Sequence, residues 1–562
     1  MDIRRTILWM IFLFSLLLLW NNWQVHNGKS SLFAPSSTEA AATTPNAATP
    51  GTPADASVPA SAAPTPPAAA SLPGAAPVGA ATADSKPFTI DNGVLRLDFD
   101  LNGAQIVRGA LLKFQDSEDE TRPEMLLDNV QGNYYVVQTG AVGSTNGTPF
   151  PNHLTPFSLV SHTQAADGSQ VVVFEAQSGG ALLRKTYTLQ QNRYDIHVRH
   201  EVINQSEQAI APSLYLQITR DGNNPPNTSS FYSTFTGPAV YSDAEKFQKV
   251  SFSDIEKNKA KYERETNNGW IGMVQHYFVT AWVPPQGTLR KNELVQIQPN
   301  LYAARTIESL GAIAPGASAG MDAQLWVGPQ DQKALSEVAP GLDLVVDYGW
   351  LTIIAKPLFV LLTWLHSLLH NWGWSIVALT VLIKLLFFPL ASASYRSMAR
   401  MKNVAPRLQA LKQKYGDDRA KLNAAMMELY RTEKINPLGG CLPMVVQIPV
   451  FIALYWVLLA SVEMRDAPWI LWVHNLAAPD PFFILPAVMM ITMFVQIKLN
   501  PTPPDPIQAK VMMIMPLVFG GMMFFFPAGL VLYWCVNNAL SIAQQWVITR
   551  KITQASAKAA NS

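Results

Sequence analysis

The chain is short of charge. Of its 562 residues only 14% are Asp, Glu, Lys or Arg, against roughly 25% in a soluble globular protein, while 49% are hydrophobic. This composition points to a membrane protein. The net charge of +1 gives no support for nucleic-acid binding as a whole-chain property, although a neutral total can hide a local excess. Cysteine is scarce as well: Cys441 and Cys535 both lie inside apolar runs, so no disulfide framework stabilises the polar part of the chain. Also missing are a Gly-x-x-x-x-Gly-Lys-Ser/Thr phosphate loop, His-Glu-x-x-His, Gly-x-Ser-x-Gly and Cys-x-x-Cys. No catalytic residue, metal or cofactor is expected, and the chain does not read as an enzyme.

What is present falls into distinct stretches. Residues 1–27 hold Arg4 and Arg5 followed by an apolar run from Ile7 to Trp20. A cleaved signal peptide is the alternative, but Asn21, Asn22, Trp23 and Gln24 offer no small-x-small site, which favours an uncleaved anchor with its arginines in the cytoplasm. Residues 28–85 are dominated by Ala, Pro, Ser and Thr, a composition that cannot bury enough apolar surface to order itself. From Phe88 the pattern changes: Leu95, Leu97, Phe99 and Leu101 alternate with Arg96, Asp98 and Asp100 before an Asn102-Gly103 turn. Similar alternation at Tyr134–Gln138, Val171–Glu175, Leu183–Leu189 and Tyr194–Val198 predicts an antiparallel β-sandwich over 86–340, on the extracytoplasmic side.

Residues 341–372 are read as an interfacial amphipathic helix: Thr363, His366, Ser367 and His370 share one face, and Leu358, Leu361, Trp364, Leu365 and Leu368 the other. Over 373–550 five apolar segments follow, about Trp374–Ala393, Cys441–Val462, Phe482–Leu499, Val511–Phe526 and Leu530–Ile548, each able to span a bilayer. The fold class is therefore a membrane α-helical bundle, an N-terminal anchor plus a five-helix core, with a large extracytoplasmic antiparallel β-sandwich domain. The loop 395–440 carries ten Lys and Arg against four acidic residues, the turn Glu463–Asp480 holds Arg465 as its one Lys or Arg, and the tail 551–562 is basic. The positive-inside rule then puts both termini and the long loop in the cytoplasm.

Lys384 stands out, inside an otherwise apolar helix. The cytoplasmic end of that helix is expected near Arg396, a distance of about 18 Å at 1.5 Å per residue, beyond a lysine's reach by snorkelling. A helix set lower would make Lys384 an interfacial anchor. A structural ion pair needs an acid in another span, and none is present. Water or a visiting acidic group should satisfy the ammonium. Thr380, Gln447, Gln496, Asn537 and Asn538 could line such a cavity, or serve as glue between helices. In the basic loop, Met401, Val404, Leu408, Leu411 and Tyr415 follow 3-4-3-4 spacing, and Asp418 is a candidate N-cap before Leu422, Met426 and Leu429. This predicts a helical hairpin. Its Arg396, Arg400, Lys402, Arg407, Lys412 and Lys414 could contact anionic lipid or ribosomal RNA, or simply form a solvated positive face.

Asn436-Pro-Leu-Gly-Gly-Cys441-Leu-Pro, Gln447-Ile-Pro-Val-Phe-Ile-Ala-Leu-Tyr455, Phe482-Phe-Ile-Leu-Pro486 and Pro527-Ala-Gly-Leu-Val-Leu-Tyr533 resemble the YidC/Oxa family of membrane protein insertases, in its Gram-negative bacterial form. The resemblance implies an inner-membrane protein with a periplasmic domain that helps newly made proteins insert, fold and assemble, alone or with the Sec translocon. It implies a groove in which a positive side chain receives the polar part of the substrate, a place that Lys384 occupies. Arginine is common there in the family, so lysine is a departure, and one that can lose its proton where arginine cannot. The substrate's apolar segment is expected along Cys441–Val462 and Val511–Phe526, with Tyr533, Trp534 and Gln496 nearby. The partners implied are nascent membrane proteins, the Sec translocon and the ribosome, with anionic lipids. A rival reading is a small-solute or ion transporter using Lys384 as an anion site, although no inverted repeat is visible. A sugar-processing enzyme would need paired carboxylates in a cleft, whereas Asp98, Asp100 and Glu118–Glu120 read as solvent-facing.

Overall fold

Leu95, Leu97 and Phe99 turn fully inward while Arg96 stays exposed, and this alternation builds the first half of the molecule. The computed structural model describes residues 87–116, 119, 121–225, 234–415, 418–433, 442–500 and 506–560, apart from some side chains within helices. The anchor over 1–27, the linker over 28–85 and the motif Asn436–Cys441 lie outside the described residues. The chain divides into two units: residues through Pro329 with Ala334–Leu342, and Gln330–Lys333 with Asp343 onward.

The first unit is two nine-stranded antiparallel sheets. One runs from an edge at Phe88–Asp91 through Asn133–Val142, Ser213–Asp221 and Leu301–Ser309 to Glu265–Thr266; the other runs from Lys246–Lys249 through Ser318–Pro329, Asp195–Asn204 and Ala181–Leu189 to Ser158–Gln164. Their inner faces interdigitate, with Phe99 against Phe174 and Tyr187 at ring separations of 5.3 and 4.9 Å, as packed sheets require. Gly103, at the Asn102-Gly103 turn, has a φ of +81°, and a Cβ there would lie 2.3 Å from the His153 carbonyl oxygen; only glycine fits. Lys185 reaches this turn from the opposite sheet. It is 0% exposed, donates to the carbonyls of Gly103 (2.6 Å) and Thr139 (2.8 Å), and lies 4.5 Å from the centre of the Phe157 ring. His200 donates to or accepts from the Thr139 hydroxyl at 2.9 Å; burial, together with nearby Lys185, pushes its pKa down to about 3. Asp98 accepts from the Thr89 hydroxyl and Asp100 from the Asn102 amide, local roles without a shared cleft.

The second unit is helical. We number its helices α1 (Thr352–Leu369), α2 (Trp372–Leu386), α3 (Phe388–Tyr415), α4 (Arg419–Thr432), α5 (Leu442–Ala460), α6 (Ile484–Leu499), α7 (Pro506–Met522) and α8 (Ala528–Ala560). One expectation changes here. The segment Trp374–Ala393 is not one helix: α2 stops at Leu386 and the chain bends by 66° into α3, because Pro389 lacks an amide hydrogen and is accommodated only in the first turn of a new helix. Lys384 therefore sits in the last turn of α2, and the straight-helix distance to Arg396 does not apply. In α1 apolar residues lie on two sides. Ala355, Phe359, Leu362 and Leu365 are buried, while Ile353, Val360, Trp364 and Leu368 face outward. By length and composition α1 is the one described helix able to cross a membrane alone, α2 with Phe388–Met398 forms a bent candidate, and the apolar helices Val446–Ala460, Ile484–Leu499 and Ala509–Phe525 are shorter than 18 residues. In the sequence a proline follows two of them: Pro501 comes after α6, and Pro527 after the 3-10 turn Met523–Phe525.

Candidate functional site

Two helices bring polar side chains to Lys384. Its Nζ donates to Ser541 Oγ on α8 at 2.8 Å and lies 3.5 Å from Gln447 Oε1 on α5. Gln447 in turn donates to Asn537 Oδ1 at 2.5 Å, and Ser541 donates to the Asn537 carbonyl one turn back at 2.7 Å. Residues 537 and 541 share a helical face because they are four apart. Among the described residues Lys384 makes no ion pair, so its partners are neutral oxygens alone. Elsewhere in the helical unit, Ser392, Asn538 and Gln545 are buried polar residues, and the Ser392 hydroxyl and the Gln545 carbonyl oxygen have no hydrogen-bond partner among the described residues. Buried polar atoms of this kind are costly unless water or a ligand serves them.

Other residues singled out from the sequence take different places. Thr380 is buried, but its hydroxyl donates to the Ile376 carbonyl at 2.7 Å, the usual backbone return of a threonine within a helix. Gln496 makes no hydrogen bond to the Lys384 cluster among the described residues. Asn538 bonds Thr492 on α6 at 3.3 Å and so ties two helices together. Tyr533 and Trp534 belong to an aromatic group on the same helix as the cluster: Phe451 stacks on Tyr533 at 6.0 Å and meets Trp534 at 4.6 Å, and Phe519 of α7 meets Trp534 at 5.2 Å. The face pairs apolar rings with a polar cluster.

Ser541, the nearest partner of Lys384, escaped the sequence reading. Its signal was the i, i+4 spacing from Asn537, which is visible only when a polar stripe is traced along the whole of α8. In the basic hairpin, Val404 and Leu408 are buried along the predicted seam, and the Asp418 side chain accepts from the Lys421 amide at 3.1 Å. Arg407 pairs with Glu433 at 2.5 Å across α3 and α4, Lys414 lies over the Tyr415 ring, and Arg396 is exposed. The side chains of Arg400, Lys402 and Lys412 lie outside the described residues.

Comparison with known proteins agrees with this architecture. Residues 87–361 match the model of the YidC periplasmic domain, and residues 364–555 match that of the 60Kd inner membrane protein. A membrane protein insertase YidC of Bordetella parapertussis is 69% identical over 100% of both chains, and one from Janthinobacterium sp. (strain Marseille) is 52% identical over 98% of this chain and 99% of that one. A crystal structure of an active YidC insertase with its first transmembrane domain resolved aligns with 82% of this chain and 92% of that chain, at 16% identity and a TM-score of 0.40. The relatives do not favour a solute transporter or an enzyme. With identity this high over the entire length, the chain belongs to the YidC family of membrane protein insertases, inner-membrane proteins that carry a periplasmic domain.

Proposed function

We propose that this insertase uses the cluster of Lys384, Gln447, Asn537 and Ser541 as a transient receptor for the polar, acidic part of an inserting protein. The observation that carries the reading is the Lys384 ammonium bound to neutral side-chain oxygens, with no carboxylate paired to it among the described residues. A cation held this way lowers its energy further when an acid arrives, and weak neutral partners let the acid leave again. The barrier to insertion is the passage of a hydrophilic tail across hydrocarbon, since each polar group must give up water. A polar, hydrated recess on the way shortens that passage. The substrate's apolar segment gains free energy by entering lipid, and the rings of Phe451, Phe519 and Trp534 offer it an apolar surface beside the recess.

In this reading both termini and the hairpin of α3 and α4 lie in the cytoplasm. The hairpin's Arg396, Arg400, Lys402, Arg407, Lys412 and Lys414 then meet anionic lipid headgroups, the ribosome or the emerging chain, and the Sec translocon is a further partner. The test uses the purified chain in liposomes with a small single-span protein bearing an acidic tail, scored by protease protection. Insertion above that of empty liposomes is expected, and equality would defeat the proposal. Replacing the substrate's acidic residues by their amides should lower insertion only while Lys384 is present.

A further inference from the structure

At one end of the helical unit the distribution of polar and apolar groups is inverted. The segment Ala467–Ile484, with the starts of α2, α6 and α8, forms this end: Asn371, which caps α2, donates to the Pro468 and Trp469 carbonyls at 3.1 and 3.3 Å, and the amides of Ala528 and Gly529 donate to the carbonyls of Ala478 and Leu476. In a loop facing water the charged groups point out and the large apolar groups point in. Here Asp480 is 1% exposed while Leu471 is 74%, Phe482 66% and Phe483 50% exposed. Ile470, Trp374 and Phe525 are exposed at the same end. Asp466, the residue just before the segment, accepts from Asn475 and lies beside Arg465.

The backbone is arranged to hold these apolar groups outward. Leu471 and Phe483 have φ values of 54° and 57°, a left-handed conformation that bulky side chains rarely adopt. Asp480 secures it. Its carboxylate accepts from Trp472 Nε1 at 3.0 Å, from the Phe482 amide at 3.1 Å and from the Leu485 amide in the first turn of α6 at 2.7 Å, and its carbonyl accepts from the Phe483 amide. One buried acid thus satisfies a helix start and an indole, and fixes the two phenylalanines beyond it. Local strain kept at exposed apolar residues indicates a surface with a task.

We infer that this end is a lipid-contact rim, with Leu471, Phe482 and Phe483 seated at the boundary between headgroups and acyl chains of the nearer leaflet and Asp480 as their positioning residue. Lipid is the occupant that fits, for two reasons. The exposed groups come from three elements around the end of the bundle instead of lining one groove. They also continue into the outward apolar faces of α6 and α7, where Val488, Ile491, Met513 and Leu517 are exposed, the sides that spanning helices turn to the membrane. That the leaflet is the periplasmic one rests on the topology proposed above.

The test places an environment-sensitive fluorophore on single cysteines in the full chain, with Cys441 and Cys535 replaced by serine and alanine, in lipid nanodiscs. Probes at Leu471→Cys and Phe482→Cys should be quenched by lipids spin-labelled near the head of the acyl chain, and iodide should quench them about threefold less than a probe at exposed His474→Cys. Iodide quenching equal to that at position 474 would put the rim in water, and protection from both quenchers would mean a protein covers it; either result overturns the inference. Asp480→Asn should reduce lipid quenching at position 482 and leave it unchanged for a probe at Trp374→Cys, and equal loss at both positions would remove Asp480 from its positioning role. A Gln413→Cys probe in the basic hairpin, read with an impermeant quencher on sealed proteoliposomes, reports orientation separately. A reversed topology would move the rim to the other leaflet without moving it into water.

Discussion

Each unit of this chain encloses a lysine that pairs with no carboxylate among the described residues, and the two are satisfied in opposite ways. In the β-sandwich, Lys185 is completely enclosed and bound to two backbone carbonyls that belong to a turn and a strand of the facing sheet. In the helical unit, Lys384 is half-buried and bound to a serine hydroxyl and a glutamine amide. Carbonyls fixed in the backbone of a turn and a strand cannot follow a departing ammonium, so Lys185 is a clamp between sheets. Side-chain oxygens can turn away, and the proposed receptor role of Lys384 rests on that freedom. The same residue type thus meets fixed backbone in one region and movable side chains in the other.

That contrast can be broken most directly at Lys185. Lys185→Ala leaves two buried carbonyls without a donor and opens a cavity, and should destabilise the β-sandwich by about 3–5 kcal/mol, measured by denaturant unfolding followed with near-UV dichroism. An unchanged midpoint would show that Lys185 is no clamp. Acid should act next most strongly, through His200. Its imidazole is neutral in the fold, where its pKa is about 3, but takes a proton in the unfolded chain below about 6.5. The unfolded state therefore binds more protons between these values, and stability falls as pH drops from about 6.5 toward 3, by about 2 kcal/mol at pH 5. His200→Asn should flatten this slope, and a slope unaltered by that change would assign the acid sensitivity elsewhere.

For Lys384 the expected loss is in insertion instead of stability. Lys384→Ala should slow insertion of an acidic-tailed substrate about tenfold, or ~1.4 kcal/mol, with its thermal unfolding close to that of the parent, whereas Lys384→Arg should keep most of the activity. If alanine lowers stability as much as it lowers insertion, the distinction between clamp and receptor fails. The smallest effect belongs to the hairpin. The Arg407–Glu433 pair is largely exposed, so Arg407→Ala should cost less than about 1 kcal/mol, and any larger defect in ribosome or vesicle binding would point to a contact role for the arginine beyond the pair.

Much of this was legible along the chain. Alternation of period two announced the sandwich, Asn102-Gly103 announced a turn that only glycine can make, and 3-4-3-4 spacing announced the seam of Val404 and Leu408, because in each case the signal is local and repeats with the geometry of one element. Lys384 was visible for the same reason, as one charge in an apolar run. Ser541 was not, since it lies 157 positions away and no periodicity links two helices that meet only by packing. The bend before Pro389 could have been anticipated from the proline, whose missing amide hydrogen ends the ladder of α2.

By itself the sequence determined the two kinds of architecture, the apolar segments and the positions of the unusual charges, because hydrophobic period and composition are properties of neighbouring residues. Only the tertiary structure decided which lysine meets backbone carbonyls and which meets side-chain oxygens, that Thr380 returns to its own helix while Ser541 serves Lys384, and that Asp480 turns inward so that Leu471 and Phe482 turn out. Those outcomes depend on which carbonyl, hydroxyl or amide the packing of distant segments brings within about 3 Å, and that distance is set by the fold as a whole.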